Sequence, residues 1–346
     1  MPVLRMLERL AAQLTRVSWY VIALHLAFLY VGGAVVMRLA EPDSSQFHTV
    51  ADYTWWFLVT ITTVGYGDMF PTTESGRLAA GGIMVLGIGS LGVALGKWGE
   101  IIVTLGRKRM RGLAQLHASG HIVIFGYRKG ETEWMVTEIR ADPDWRDRTL
   151  VLCSGSTNEN PMAGDIDFVH GELTSDEVLK RACVSAADIL IIHRDDDSNT
   201  IVTAIACLSA NERAHIVAFL NHPDSEKHLQ RISPRIECVH PVAVPMIVQA
   251  MQDPGITRVV QALLSNVEDD VFYRIVVPQG EWSWPFAELL TRFKARHEAI
   301  LVGVTETSET NAPVNVNPAG DFQVRGGMAL FYIAARRLSR IDWAEL

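Results

Sequence analysis

Residues 62–68 read Thr62-Thr63-Val64-Gly65-Tyr66-Gly67-Asp68, two glycines placed around a tyrosine just downstream of Trp55-Trp56. The chemistry on offer is that of the backbone. Gly65 and Gly67 can adopt dihedrals closed to other residues, which lets successive carbonyls point toward one axis. A stack of such carbonyls can replace the hydration shell of a potassium ion. In a soluble fold the same run would be an ordinary glycine-rich turn, so the surrounding elements decide between the two.

Residues 17–39 (VSWYVIALHLAFLYVGGAVVMRL) carry Arg38 as their one formal charge, and residues 78–96 (LAAGGIMVLGIGSLGVALG) carry none. Each is close to the roughly 20 residues a helix needs to cross a bilayer. A signal peptide has a shorter apolar region, about 7–15 residues, and a small-residue cleavage site. The first stretch is longer, has no convincing site of that kind, and is followed by a second span. Arg5, Arg9 and Arg16 precede the first span, and Arg107, Lys108, Arg109 and Arg111 follow the second. The loop between them opens with Glu41 and Asp43. The basic flanks therefore predict a multi-pass inner (plasma) membrane protein with both termini cytoplasmic and the loop outside. Within that loop, residues 50–61 (VADYTWWFLVTI) are apolar but too short to cross, and they end at the glycine run. A short helix that enters and returns through the same face fits this length. Irregular backbone at that depth is tolerated only where it lines a water-filled path or is buried in protein.

Trp55-Trp56 through Asp68 resembles the pore helix and selectivity filter of potassium channels, with Thr63-Val64-Gly65-Tyr66-Gly67 matching the signature. The resemblance implies K+ held at Thr63, Val64, Gly65 and Tyr66, the hydroxyl and carbonyl of Thr63 forming the innermost site. It also implies that Tyr66 packs on an aromatic cuff that includes Trp56. Asp68 would stand at the outer mouth and accept a hydrogen bond from Trp56. One such loop per chain implies a homotetramer in the lipid bilayer. In the second span, VLGIGS places Gly87 where these channels have a gating hinge, with Gly89 the neighbouring candidate and plain helix packing the alternative. No arginine-rich helix precedes the pore, so no voltage sensor of that type is expected.

The formal charge of −8, from 31 basic and 39 acidic residues, argues against a general nucleic-acid binder. After about residue 107 the charge density is that of a soluble protein, and all four cysteines (Cys153, Cys183, Cys207 and Cys238) lie there. In a reducing compartment they are expected as free thiols. HIVIFGY, RTLVLCS, DFVHG, ADILIIH and HIVAFLN read as buried strands, with helices ETEWMVTEIR, DEVLKRACV and SNTIVTAIACLSA between them. This alternation predicts a parallel sheet covered on both faces, taking ligands at the carboxyl ends of its strands. HPVAVPMIVQAMQDPG and ITRVVQALLSNV read as a crossover. FYRIVVP, ILVGVTE and MALFYIAAR read as strands of a smaller α+β unit with LLTRFKARH helical, and NAPVNVNPAG as a turn-rich loop.

The layout resembles the RCK domain (regulator of K+ conductance), and the chain as a whole resembles prokaryotic two-span potassium channels gated by calcium through such a domain. The expected organisation is a pore domain over 1–105, with spans 17–39 and 78–105, pore helix 50–61 and filter 63–67. A linker follows over 106–119, then a Rossmann-like lobe over 120–239, crossover helices over 240–268 and a C-terminal lobe over 269–346. Rings in the resembling family use eight RCK domains. A tetramer would supply four, the other four being additional RCK domains, and Met110 offers a start for a separately translated copy.

The sensing ligand is where the sequence departs from the family. The phosphate loop reads Gly126-Tyr127-Arg128-Lys129-Gly130-Glu131, so Arg128 and Glu131 replace its second and third glycines. Cys153-Ser154 stands where an acid would hold a ribose hydroxyl, which argues against NAD in its usual pose. Arg128 and Lys129 near a helix N-terminus would favour a phosphate, as of ADP or NAD, or serve simply as surface charge. By the resemblance, three positions should bring carboxylates onto calcium; here they read His193, Phe219 and Asn221, of which only Asn221 offers an oxygen. Glu172 and the run Asp195-Asp196-Asp197 remain as donors for another divalent ion. Asp197 or Ser198 capping the next helix is the alternative. His193 would confer sensitivity to pH or a softer metal, or be structural. Glu268-Asp269-Asp270 reads as a solvated turn. A membrane-anchored nucleotide-dependent oxidoreductase would need an intact phosphate loop, a ribose acid and a catalytic proton donor; the first two are missing here and no third stands out, so the chain is not expected to be an enzyme. A regulatory subunit of a potassium transporter would normally lack its own pore.

Overall fold

The structure, a computed structural model, describes residues 18–42, 47, 49–267, 270–338 and 340–344. Arg5, Arg9, Arg16, Asp43, Glu268 and Asp269, used above, lie outside the described residues. The chain divides into two compact units, Met1–Arg107 and Lys108–Leu346.

The first unit holds helices α1 (Trp19–Ala40), α2 (Val50–Ile61) and most of α3 (Glu74–Met110). The buried residues of α1 are Ile22, Leu29, Gly33 and Met37, a single stripe spaced by seven, four and four. Many of its other apolar side chains, Leu24, Phe28, Val35 and Leu39 among them, are exposed. In water each would forgo roughly 1.5–3 kcal/mol of burial; in lipid it would not. Both α1 and α3 are long and apolar enough to cross a bilayer. α3 starts four residues before the expected span and ends five after it. α2 opens with a capping box in which the Thr49 hydroxyl and the Asp52 carboxylate satisfy each other's backbone N–H. Leu29, Met37, Tyr53, Trp56, Phe57 and Ile83 form the core of this unit.

The second unit opens with a six-stranded parallel sheet in the order β3-β2-β1-β4-β5-β6. The strands are β1 (Ile122–Phe125), β2 (Leu150–Ser154), β3 (Asp167–His170), β4 (Ile189–Ile192), β5 (His215–Phe219) and β6 (Glu237–Val239). The helices between them are α4 (Glu131–Ala141), α5 (Asp176–Arg181), α6 (Asp197–Ala210) and α7 (Pro223–Ile232). All four residues of β1 are buried because helices cover both faces. Val123 and Phe125 join one core with Leu190 and Ala204, and Ile122 and Ile124 join the other with Val136. This is the Rossmann-like lobe, whose strand order reverses direction at β1 and β4, the usual place for a ligand crevice.

Two crossover helices, α8 (Ala243–Gln252) and α9 (Ile256–Leu264), have no buried residues. The C-terminal lobe follows. It is built on an antiparallel sheet β10-β9-β12-β7 and a two-stranded ribbon β11-β8, with α10 (Phe286–His297) packed by Leu289 and Phe293. Its strands are β7 (Val271–Val276), β8 (Ser283–Pro285), β9 (Ile300–Thr305), β10 (Val314–Val316), β11 (Gln323–Arg325) and β12 (Ala329–Ala334). The expected turn-rich loop NAPVNVNPAG is corrected here, since Val314, Asn315 and Val316 pair with β9. Asparagine and proline flank this exposed edge strand and mask it, and Asn317 turns the chain away at φ 51°.

Candidate functional site

The loop expected to form the filter follows the last turn of α2. Beyond Ile61 the N–H groups of Val64 and Gly65 both donate to the carbonyl of Val59, at 3.0 and 3.2 Å, and that of Thr63 donates to Thr60. Thr63, Gly65 and Gly67 have φ of 62, 56 and 76°, while Val64 and Tyr66 between them do not. This alternation turns successive carbonyls to the same side. For the β-branched Thr63 it is a strained conformation. Among the described residues no hydrogen bond reaches the carbonyls of Thr63 to Tyr66. The C-terminal, partially negative end of α2 adjoins them, which favours a cation.

Asp68 is held by Trp55, whose Nε1–H donates to Asp68 Oδ2 at 2.7 Å. The same indole stacks on Tyr66 with centroids 5.8 Å apart and planes 7° from parallel. Both roles had been expected of Trp56, and this is a correction. Trp55 lies one turn before Val59, on the face to which the filter returns. Trp56, about 100° further round, is buried against Phe47 and Tyr53.

A buried carboxylate braces the same region. Glu41, 4% exposed at the end of α1, accepts from the N–H groups of Thr72 and Thr73, both at 2.8 Å, and from both of their hydroxyls. Its carboxyl leaves no room for a side chain at Gly76. The sequence reading used Glu41 only as a topology marker. The signal that could have found it is an acid beside an apolar span, with Thr-Thr opening the next helix. Gly87 lies against the end of α2, where a Cβ would come within 2.7 Å of Ile61 Cγ2, and α3 runs through it unbroken. Gly89 has open space around it.

In the second unit a cleft of about 290 Å³ lies at the carboxyl ends of β1, β2 and β4, lined by Gly126, Ser154, Ser156, Glu172, His193 and Asp195 among others. Ser154 and Ser156 hydrogen-bond each other at 3.0 Å. The cleft thus gathers Gly126, Ser154, Glu172, His193 and Asp195 but omits Arg128, Asp197 and Asn221.

Arg128 turns away from the cleft. It donates to His193 Nε2 at 3.0 Å, pairs with Glu131 at 3.1 Å and lies over the Phe219 ring, 5.8 Å from its centroid. Phe219 in turn meets the His193 ring edge-on at 4.8 Å. Burial and the Arg128 charge hold the His193 pKa below its ordinary value, against the pull of Glu131 and Asp195. The first turn of α4 is already served, because Glu133 accepts from the Gly130 N–H at 2.6 Å and from the Tyr127 hydroxyl at 2.6 Å. A phosphate there would have to displace a carboxylate.

Asp196, neither Asp197 nor Ser198, caps α6 by accepting from the Asn199 N–H at 2.8 Å. That corrects the expected cap. Asp197 instead accepts from the N–H and Nδ2 of Asn221, the N–H of His222 and the Ser225 hydroxyl, tying β4–α6 to the start of α7. Burial would raise its pKa, but these hydrogen bonds outweigh it and bring it down to about 2. Calcium does not fit the expected triad: a guanidinium lies against His193, Phe219 is a ring, and the Asn221 amide donates to Asp197. Among the described residues no three His, Cys, Asp or Glu side chains converge as metal donors.

Two family models match the chain, one described as an ion channel over residues 24–104 and one as a TrkA-N domain over residues 154–237. The calcium-gated potassium channel TvoK of Thermoplasma volcanium is 25% identical over 232 residues, covering 64% of this chain and 65% of its own length. The putative potassium channel protein YugO of Bacillus subtilis is 27% identical over 191 residues, covering 53% of this chain and 56% of its own. The chain therefore spans less than two thirds of the length of either relative. A solved GsuK channel bound to NAD is 17% identical with a TM-score of 0.43, covering 92% of this chain and 57% of its own. The chain thus carries an ion-channel match followed by a TrkA-N match and is homologous to proteins described as potassium channels.

Proposed function

We propose that the protein is a potassium-selective channel, opened or closed by a ligand bound to its cytoplasmic RCK domain. The observation that carries this reading is the alternation of left-handed residues at Thr63, Gly65 and Gly67, with unclaimed carbonyls beside the end of α2. Four chains around one axis supply four such loops and complete the coordination that a single chain leaves open. Trp55 and Asp68 brace the filter from behind, and α3 bends near Gly87 or Gly89 to gate the path. Both termini face the cytoplasm of a cell bounded by the inner membrane, and four further RCK domains complete the gating ring.

The ligand binds the 290 Å³ cleft, a volume at the lower edge of the small-molecule range. Hydroxyl and carboxylate side chains line it, and α4 caps itself with Glu133. A ribose-bearing nucleotide of ADP size, held through its sugar, therefore suits it better than a dinucleotide held through its phosphates. The ligand acts by preferring one shape of the domain over another. Potassium and sodium flux through the purified protein in liposomes tests the pore. Thermal unfolding with calcium, ADP and NAD in turn tests the cleft, because a ligand that binds the folded state raises its stability. Equal potassium and sodium flux would end the pore reading.

A further inference from the structure

α5 has a different neighbour at each end. Its N-terminal side adjoins the cleft: Glu172 and Leu173 line it, and the Glu172 carbonyl accepts from both the N–H and the hydroxyl of Ser175, the residue that caps α5. Its C-terminal end holds the connector that follows α3. The Lys180 carbonyl accepts from Gln115 Nε2 at 3.1 Å, and the Arg181 carbonyl accepts from the Leu116 N–H at 3.1 Å. Six residues of helix span about 9 Å, so cleft and connector lie one short element apart.

The Arg181 side chain, 12% exposed, closes the circuit. One terminal nitrogen donates to the Gly112 carbonyl at 2.7 Å and the other to the His170 carbonyl at 2.8 Å. The His170 N–H donates to the same Gly112 carbonyl at 3.0 Å. Gly112 itself is left-handed, φ 64°, and a Cβ there would stand 2.4 Å from His170 N, which is backbone and cannot yield cheaply. Just upstream, Arg109 pairs with Asp167 at 2.8 Å and the Met110 carbonyl accepts from the Asn160 N–H at 2.8 Å. Arg109 and Met110 are the last residues of α3, the helix that carries the second span. The connector is therefore docked along the end of β3, held by a guanidinium whose planar fork grips two carbonyls at once.

We infer that Arg181 and α5 are the positioning link through which occupancy of the cleft is felt at the end of α3. A ligand that moves Glu172 and Leu173 moves α5, and Arg181 carries that shift to Gly112 and Met110. The inference rests on the cleft being the ligand site, as proposed above, while the docking of the connector stands without it.

The test uses full-length protein in liposomes, with ADP as the probe and three readouts: potassium flux, thermal shift, and hydrogen exchange over residues 108–116. Arg181→Ala should keep the ADP-induced thermal shift, lose the ADP effect on flux, and speed exchange over the connector by about tenfold or more. Gly112→Ala, which keeps the Arg181 side chain but forces the connector off the His170 backbone, should do the same, provided its ADP-induced thermal shift shows the cleft retained. Arg181→Lys, which keeps the charge but not the two-carbonyl grip, should recover only part of the response. An ADP effect on flux that survives in both alanine variants overturns the link. If ADP neither shifts nor gates the unmutated protein, the cleft reading fails for this probe and the ligand-free arm decides. There, the two alanine variants must change basal flux by about fivefold, the lower end of usual coupling factors, with faster exchange over the connector. Unchanged basal flux and exchange overturn the link.

Discussion

The loop of residues 63–67 and the cleft of the second unit treat their polar groups in opposite ways. At Thr63 to Tyr66 the backbone is bent into alternating left-handed conformations, and its carbonyls go unclaimed among the described residues. Around the cleft, the groups that a cation or phosphate would use are claimed by one another: Arg128 by His193 and Glu131, Asp197 by Asn221 and Ser225, Glu133 by Tyr127. Unpaired carbonyls held under backbone strain mark a site completed by something outside the chain. Self-satisfied side chains leave little free charge for a cation or a phosphate.

Breaking the filter should give the largest effect. Gly67→Asp puts a side chain where φ is 76°, so potassium flux should fall by about 100-fold or more, by the steric argument for left-handed residues. Flux left intact would mean that ions do not pass this loop. The side chain next in line on the cleft side is Asp197. Asp197→Ala strands the donors of Asn221, His222 and Ser225. It should cost about 2–3 kcal/mol, the usual worth of hydrogen bonds to a charged group. A melting temperature within about a degree of the unmutated protein would show that this network contributes nothing.

Trp55 and Trp56 sharpen the comparison inside the pore unit. Trp55→Phe keeps the ring over Tyr66 but removes the donor to Asp68, so potassium-over-sodium selectivity should fall several-fold. Trp56→Phe should lower stability by about 1–3 kcal/mol, the scale of a core volume change, and leave selectivity alone. The reverse pattern in flux assays would return the supporting role to Trp56.

This pair also shows what was legible in the sequence. The spans, the filter and the alternating strands and helices were readable because each is a local pattern of hydrophobic period or glycine position. Which of two adjacent tryptophans faces the filter depends on where the chain comes back to α2, and that is tertiary. The same holds for Asp196 against Asp197. Asp197 or Ser198 was the expected cap, and only the packing of α7 beside α6 decides that Asp197 reaches across to Asn221 and Ser225 and leaves the cap to Asp196. Glu41 was hidden for a related reason, because its four donors come from Thr72 and Thr73, 31 and 32 residues away. The replacement of donor residues at His193 and Phe219 is also legible in the sequence, since a missing carboxylate is visible without any fold.

The smallest effect, and the one that asks most about the cleft, concerns protons. His193 is buried beside Arg128, and both lower its pKa below the ordinary value of 6.5. A folded-state pKa below the unfolded one means that the unfolded chain binds the proton more readily. The stability associated with neutral His193 is then fully present above about pH 6.5 and is lost as the pH falls through that value toward the lower folded pKa. His193→Gln keeps an acceptor for Arg128 but cannot titrate. Between pH 7 and pH 5 its loss of stability should be shallower, by at most one proton, or about 1.4 kcal/mol per pH unit. Parallel stability curves for the two proteins would mean that acid reaches the domain by another route. A steeper curve for His193→Gln would mean that protonated His193, paired with Glu131 at 3.2 Å, is the form the fold prefers. In that case the pull of Glu131 and Asp195 on His193 would outweigh burial and the Arg128 charge.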